Sequence, residues 1–195
     1  MSMLFACIFL LCSFWLSILS NRYASSLVGP ALGDIVLDHM PLVDVSALHI
    51  YGASLFWVYI FCVCLFRPQV LVFALKTTAL FLIVRSAFVV MTHMGPPENL
   101  LELPPNIAAL YIYKGDLFFS GHVGGPFLFA LILWEYPLLR VLCICAAIFF
   151  SAVVLLGRLH YSIDVFASYF IAHSVCVMAK RIFAHDFHGL TNPMQ

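Results

Sequence analysis

The chain has 195 residues, 64% of them hydrophobic and only 9% charged. A water-soluble domain carries roughly 25% charged residues, so this composition excludes one and points to a membrane protein. Nine basic residues balance nine acidic ones, which excludes the basic patch that a nucleic-acid partner demands.

A spanning helix needs about 20 predominantly apolar residues. In chain order six stretches meet that length: 3–20, 46–66, 69–93, 117–135, 137–157 and 162–183. They predict an all-α fold, a polytopic bundle of six transmembrane helices forming a single domain over 1–195. The first stretch lacks a basic leader and a clean small-residue cleavage site, so it reads as a retained helix rather than a signal peptide. Arg67-Pro68 reads as a tight turn, since proline cannot easily continue a helix. Two longer connections, 21–45 and 94–116, and a short C-terminal tail remain. Residues 94–115, rich in proline and leucine, read as an ordered linker, with a membrane-surface lid as the alternative. Cys62-Val63-Cys64 and Cys143-Ile144-Cys145 leave one residue between thiols, not the two or more usual in a zinc site. These and the other cysteines, all inside apolar runs, read as small core or lipid-facing residues.

Six spans put both termini and the turns at 67–68 and 136 on one side. The 21–45 and 94–116 loops and the 158–161 turn then share the other. Arg67, Arg140, Lys180 and Arg181 lie on the terminal side, against Arg22, Lys114 and Arg158 opposite. The positive-inside rule puts the termini in the cytosol and the other face outside or in a lumen.

On that other face two polar clusters open apolar segments: Gly115-Asp116-Leu117-Phe118-Phe119-Ser120-Gly121-His122 and Arg158-Leu159-His160-Tyr161-Ser162-Ile163-Asp164. Ionisable groups are costly at membrane depth, so such clusters suggest function by default. At the start of a helix His160 and Asp164 share one face. There the carboxylate fixes the imidazole tautomer and makes the free nitrogen a better nucleophile. His122, from another helix, can protonate a leaving oxygen as a general acid. Ser120, Gly121 and nearby amides at a helix start can hold phosphate oxygens. Arg158 or Arg85 can neutralise charge on a transferring phosphoryl group; for Arg85 a buried salt bridge with a loop carboxylate is the alternative. This set predicts phosphoryl transfer through a phospho-histidine. A divalent metal held by the two histidines with Asp116 or Asp164 is the rival, disfavoured because neither histidine belongs to a His-Glu-x-x-His pair. No metal and no cofactor are expected. A non-enzymatic transporter or lipid-binding subunit is the alternative from another class. His173 reads as a packed, hydrogen-bonded residue, and His39, His49, His185 and His188 as interfacial. Lys76 reads as snorkelling to the far interface. Gly121 and Gly125 also form a small-xxx-small packing face.

Gly-Asp-x-x-Phe-Ser-Gly-His followed by His-Tyr-Ser-Ile-Asp-Val-x-x-x-Tyr is similar to the paired signatures of the sphingomyelin synthase-related branch of the type 2 phosphatidic acid phosphatase (PAP2) superfamily. Upstream, residues 29–38 resemble that branch's Asp-containing loop, and Arg85 to Thr92 its arginine-bearing third span. The resemblance covers residues about 29 to 175. It implies a six-helix bundle with a lipid-accessible site, His160 as nucleophile, Asp164 as its partner and His122 as acid and base. Asp116 falls where the family has a further site carboxylate. The implied reaction moves a phospho-headgroup from a glycerophospholipid to ceramide or another lipid hydroxyl, without a metal; hydrolysis of a lipid phosphate is the alternative. The membrane lipids themselves are the implied partners. The ordinary phosphatases of the superfamily carry a lysine and an arginine-proline pair in their first motif, and an arginine six residues before the nucleophile. Here Arg85 precedes Ser86, and Val154 stands six residues before His160. Both departures point to the synthase-like branch. Lys114, where the synthases often have cysteine, and the lack of their extended N-terminal region point the other way.

Overall fold

The computed structural model of the chain describes residues 2–101 and 116–191. Among these residues the regular structure is helical throughout. Helix α1 runs Ser2–Ser26, six residues past the expected end. A π-helical turn at Leu48–Gly52 leads into α2, Ala53–Leu65. Helix α3, Pro68–Met91, begins with proline at its first turn, as does α5, Pro137–Leu156. An N–H is dispensable there, and the fixed φ of proline suits a helix start. Helix α6, Ser162–Ile182, carries Asp164 in its first turn and Lys180 and Arg181 in its last, the charge order that complements the helix dipole.

Among the described residues five helical stretches are long and apolar enough to cross a membrane: 3–26, 48–65, 68–91, 137–156 and 162–182. The sixth expected span, 117–135, is helical only over Gly121–Ile132, helix α4. Twelve residues at ~1.5 Å each give about 18 Å, short of a hydrocarbon core of about 30 Å. Asp116 to Ser120 enter the bundle without helical structure. Non-helical backbone is tolerated at such depth only where protein groups satisfy it. They do: Arg85 Nε donates to the Phe119 carbonyl at 2.9 Å, and Ser168 Oγ to the Ser120 carbonyl at 2.9 Å. The Ser120 amide donates to the Asp164 carbonyl at 3.3 Å. Phe119 is fully buried, edge-on to Phe81 and Phe88 of α3. The segment that shortens α4 is thus locked by groups that also build the site.

Helix α1 lies along α3, while α4 packs against both α5 and α6. Gly124 makes the close approach possible. A Cβ there would stand 2.9 Å from the Phe81 ring and 3.4 Å from Ser168. Gly124→Val is therefore expected to destabilise the protein by about 1–3 kcal/mol, read as a fall in Tm in detergent. A Tm equal to wild type would contradict the packing.

Beyond α6 the chain forms another helix, α7, Ala184–Thr191, where the sequence reads as a tail. Its Asp186 pairs with Lys76 Nζ at 2.5 Å, with both side chains about nine-tenths buried. Lys76 is therefore anchored inside the protein rather than snorkelling. His173 also differs from expectation: it is exposed on the outer face of α6, because its neighbours Ala172, Val175 and Cys176 take the buried side. The cysteines divide as expected, with Cys64, Cys143 and Cys176 buried and Cys7, Cys12, Cys62 and Cys145 exposed. Of the 94–115 connection, residues 102–115 lie outside the described residues.

Candidate active site

The turn from α5 to α6 carries His160 and is held from three directions. Arg158, at φ 51°, donates from Nη2 to the carbonyls of Leu37 and Met40, both at 3.2 Å, and from Nη1 to that of Glu98 at 3.3 Å. Tyr161 Oη donates to the Gly95 carbonyl at 2.8 Å and accepts from the Leu32 amide at 2.9 Å. Asp34 accepts the Ser162 amide at 2.6 Å, with its other oxygen taking the amides of Val36 and Leu37.

Burial alone pushes the Asp34 carboxyl up, but the Ser162, Leu37 and Val36 hydrogen bonds outweigh it and hold the group below 3.8. A carboxyl depressed on folding adds stability that is complete above its unfolded value and lost as pH falls through its folded one. This tether should therefore weaken below pH 3.8. Asp34→Asn is expected to flatten that part of the acid-side fall in Tm; an unchanged Tm–pH curve would count against it.

The consequence is a fixed His160. It is 6% exposed, and its Nδ1 faces Asp164 Oδ2 at 3.5 Å. Asp164 is completely buried, and its Oδ2 also accepts the Tyr161 amide at 3.0 Å. That hydrogen bond pins the carboxylate behind the ring, with Nδ1 in ion-pair contact with it, and leaves Nε2 as the nitrogen turned away. Ser168, one turn further along α6, donates to the carbonyls of both Ser120 and Asp164. It ties the start of α4 to the start of α6, and so His122 to His160.

These residues open on a cavity of about 470 Å³. His122 and His160 line it together, as do Arg85, Asp116 and Gly121. Arg85 Nη1 pairs with Asp116 Oδ1 at 2.5 Å, the salt bridge with a loop carboxylate given as its alternative role, and Arg85 also lines the cavity. Further along α3 and α4 from the histidines the lining turns apolar, with buried Phe81, Leu128 and Phe129, and the partly exposed Phe14 and Trp57 join it from α1 and α2. From Gly121 to Phe129 is eight residues of α4, about 12 Å of depth at ~1.5 Å each. A polar mouth over an apolar shaft suits a molecule with one charged end and an alkyl chain.

Two expected residues sit elsewhere. Ser120 is fully buried and structural, while Arg158 lines a smaller pocket of about 150 Å³ with Asp34, Asp38 and Glu98. The guanidinium of Arg158 is turned to loop carbonyls.

One site residue escapes a sequence reading. His49, expected at the interface, is 5% exposed and lines the large cavity. Its ring lies 4.2 Å from that of His122, centroid to centroid. The π-turn at Leu48–Gly52 carries it; such turns cluster at functional sites, but nothing in the residue pattern announces one. Among the described residues no cluster of His, Cys, Asp and Glu has the arrangement of a metal site.

The long apolar helices fit an integral multi-pass membrane protein. Residues 115–181, about a third of the chain, match the family model described as PAP2 superfamily C-terminal. That match supports a place in the PAP2 superfamily and a protein of lipid phosphatase or phosphotransferase type. The matched stretch holds Asp116, His122, His160 and Asp164. No curated protein and no solved structure matches the chain.

Proposed function

We propose that this protein is an integral-membrane lipid phosphotransferase of sphingomyelin synthase-like type, acting through a phospho-His160 intermediate. One observation carries the proposal: His160, backed at Nδ1 by buried Asp164, shares a cavity with His122 and Arg85 whose deeper walls are apolar. The first step is attack of His160 Nε2 on the phosphorus of a glycerophospholipid. The N–P bond forms, the bond from phosphorus to the glycerol oxygen breaks, and His122 gives that oxygen a proton, releasing diacylglycerol. Asp164 stabilises the positive imidazole as it develops. In the second step a lipid hydroxyl such as that of ceramide attacks phosphorus, His122 takes its proton, and the N–P bond breaks. Arg85 meets the charge on the phosphoryl oxygens, held in place by Asp116.

The same first step followed by water would make the protein a phospholipase C-like hydrolase or lipid phosphatase. The apolar lower lining favours transfer, because a lipid alcohol there displaces the water that hydrolysis needs. The excess of Arg67, Arg140, Lys180 and Arg181 on the terminal side supports cytosolic termini and a site that faces outside or a lumen.

The test is turnover by purified protein in liposomes of phosphatidylcholine, phosphatidylethanolamine and labelled ceramide, read by mass spectrometry beside His160→Ala. A ceramide phospho-headgroup that disappears in the variant is the expected result. Free phosphocholine or phosphoethanolamine alone would make the protein a hydrolase. No turnover of these lipids or of phosphatidic acid would overturn the enzymatic reading.

A further inference from the structure

A phosphoryl group in transfer spreads its charge over three equatorial oxygens, which must be met by donors already in place. Among the described residues Arg85 is the only Lys or Arg lining the large cavity. Its Nε is engaged by the Phe119 carbonyl and its Nη1 by Asp116, which leaves Nη2. Arg158, the other cation close in sequence to the site, faces the loop carbonyls. The oxygens therefore need a further donor.

His49 has the placement and the chemistry to be that donor. It enters the cavity from the second span, and its ring face lies against His122 at an interplanar angle of 37°. Its Nδ1 is shut off from the cavity and has no hydrogen-bond partner. A neutral imidazole has one N–H and one bare nitrogen, and a buried N–H without a partner is rarer than an unpaired acceptor. The proton therefore sits on Nε2, the nitrogen left to face the cavity.

We propose that His49 is a phosphoryl-binding residue, whose Nε2–H donates to a non-bridging oxygen of the phosphate ester reacting at His160. The proton stays on Nε2, and His49 makes no bond to phosphorus. Its ligand is the tetrahedral oxyanion of a phospholipid headgroup, met jointly with Arg85. This inference rests on the phosphotransfer reading, and it extends the site into the second span.

The test compares full-length wild type, His49→Phe and His49→Gln in the same liposomes, measuring kcat, KM and inhibition by orthovanadate, a tetrahedral oxyanion. Phenylalanine keeps a ring over His122 but has no N–H; glutamine keeps an N–H but loses the ring face. His49→Phe is expected to lower kcat by about 10²-fold, the usual effect of one lost oxyanion donor, and to weaken vanadate inhibition about tenfold. KM should change by less than about threefold, as for an interaction made mainly in the transition state. His49→Gln is expected to recover at least about tenfold of the lost rate. Wild-type kcat and vanadate inhibition in His49→Phe would overturn the proposal and leave His49 as packing for His122. If His49→Phe fails to fold, a folded His49→Gln that vanadate no longer inhibits would overturn it equally. A wild-type protein that turns over no phospholipid and is not inhibited by vanadate in a hydrolytic assay would remove the phosphotransfer reading itself, and this proposal with it.

Discussion

Asp164→Asn is expected to lower turnover by about 10³–10⁴-fold while the protein stays folded, on the precedent of carboxylates that orient a catalytic histidine. The carboxylate accepts the Tyr161 amide and faces His160 Nδ1. In the ionised form it holds a proton on Nδ1 and leaves Nε2 bare for attack. An amide can turn its NH₂ toward Nδ1, which favours the opposite tautomer and removes the charge that steadies the imidazolium. Because the side chain is completely buried, no solvent substitutes for the missing charge. The measurement is kcat in liposomes beside a thermal melt. A loss smaller than about tenfold would mean that Asp164 only caps α6 and does not orient His160.

Arg85→Met is expected to act on both turnover and stability. The guanidinium satisfies the Phe119 carbonyl, which has no helical partner, and pairs with Asp116. Removing one member of a mostly buried pair leaves the other unpaired, at about 3–5 kcal/mol. The loss should appear as a fall in Tm, and Arg85→Met/Asp116→Leu should recover much of it. Activity should not return with the double substitution, since the phosphoryl oxygens still lack their cation. A single substitution with wild-type Tm would show that the pair contributes nothing to the fold.

The long apolar helices and the placing of His160 and Asp164 on one helix face were legible in the sequence because each follows from spacing alone: about 20 apolar residues for a span, four residues for one helix face. His122 and His160 do line one cavity, but the parity of six spans from which a shared face was argued is not met among the described residues, because α4 is too short to cross. Where the reading failed, the cause was tertiary. The stretch from Asp116 to Ser120 is apolar enough to extend α4, yet Arg85 and Ser168 satisfy its carbonyls in a non-helical form. Arg158 had the charge and position of a phosphate ligand, but a positive φ turns the backbone there and its side chain meets the carbonyls of two loops. His49 looked interfacial because it stands near the start of a span. A π-turn and the face of His122 place it inside the cavity instead.

A covalent phospho-His160 is the species that sets this mechanism apart, and it can be trapped. Protein in liposomes with phosphatidylcholine carrying a labelled headgroup and no hydroxyl acceptor would be quenched at alkaline pH, where phospho-imidazoles persist, and digested for mass spectrometry. A phospho-headgroup adduct is expected on the peptide that contains His160, absent from His160→Ala and discharged on adding ceramide. Turnover in wild type with the label on no residue, or an equal adduct in His160→Ala, would contradict it.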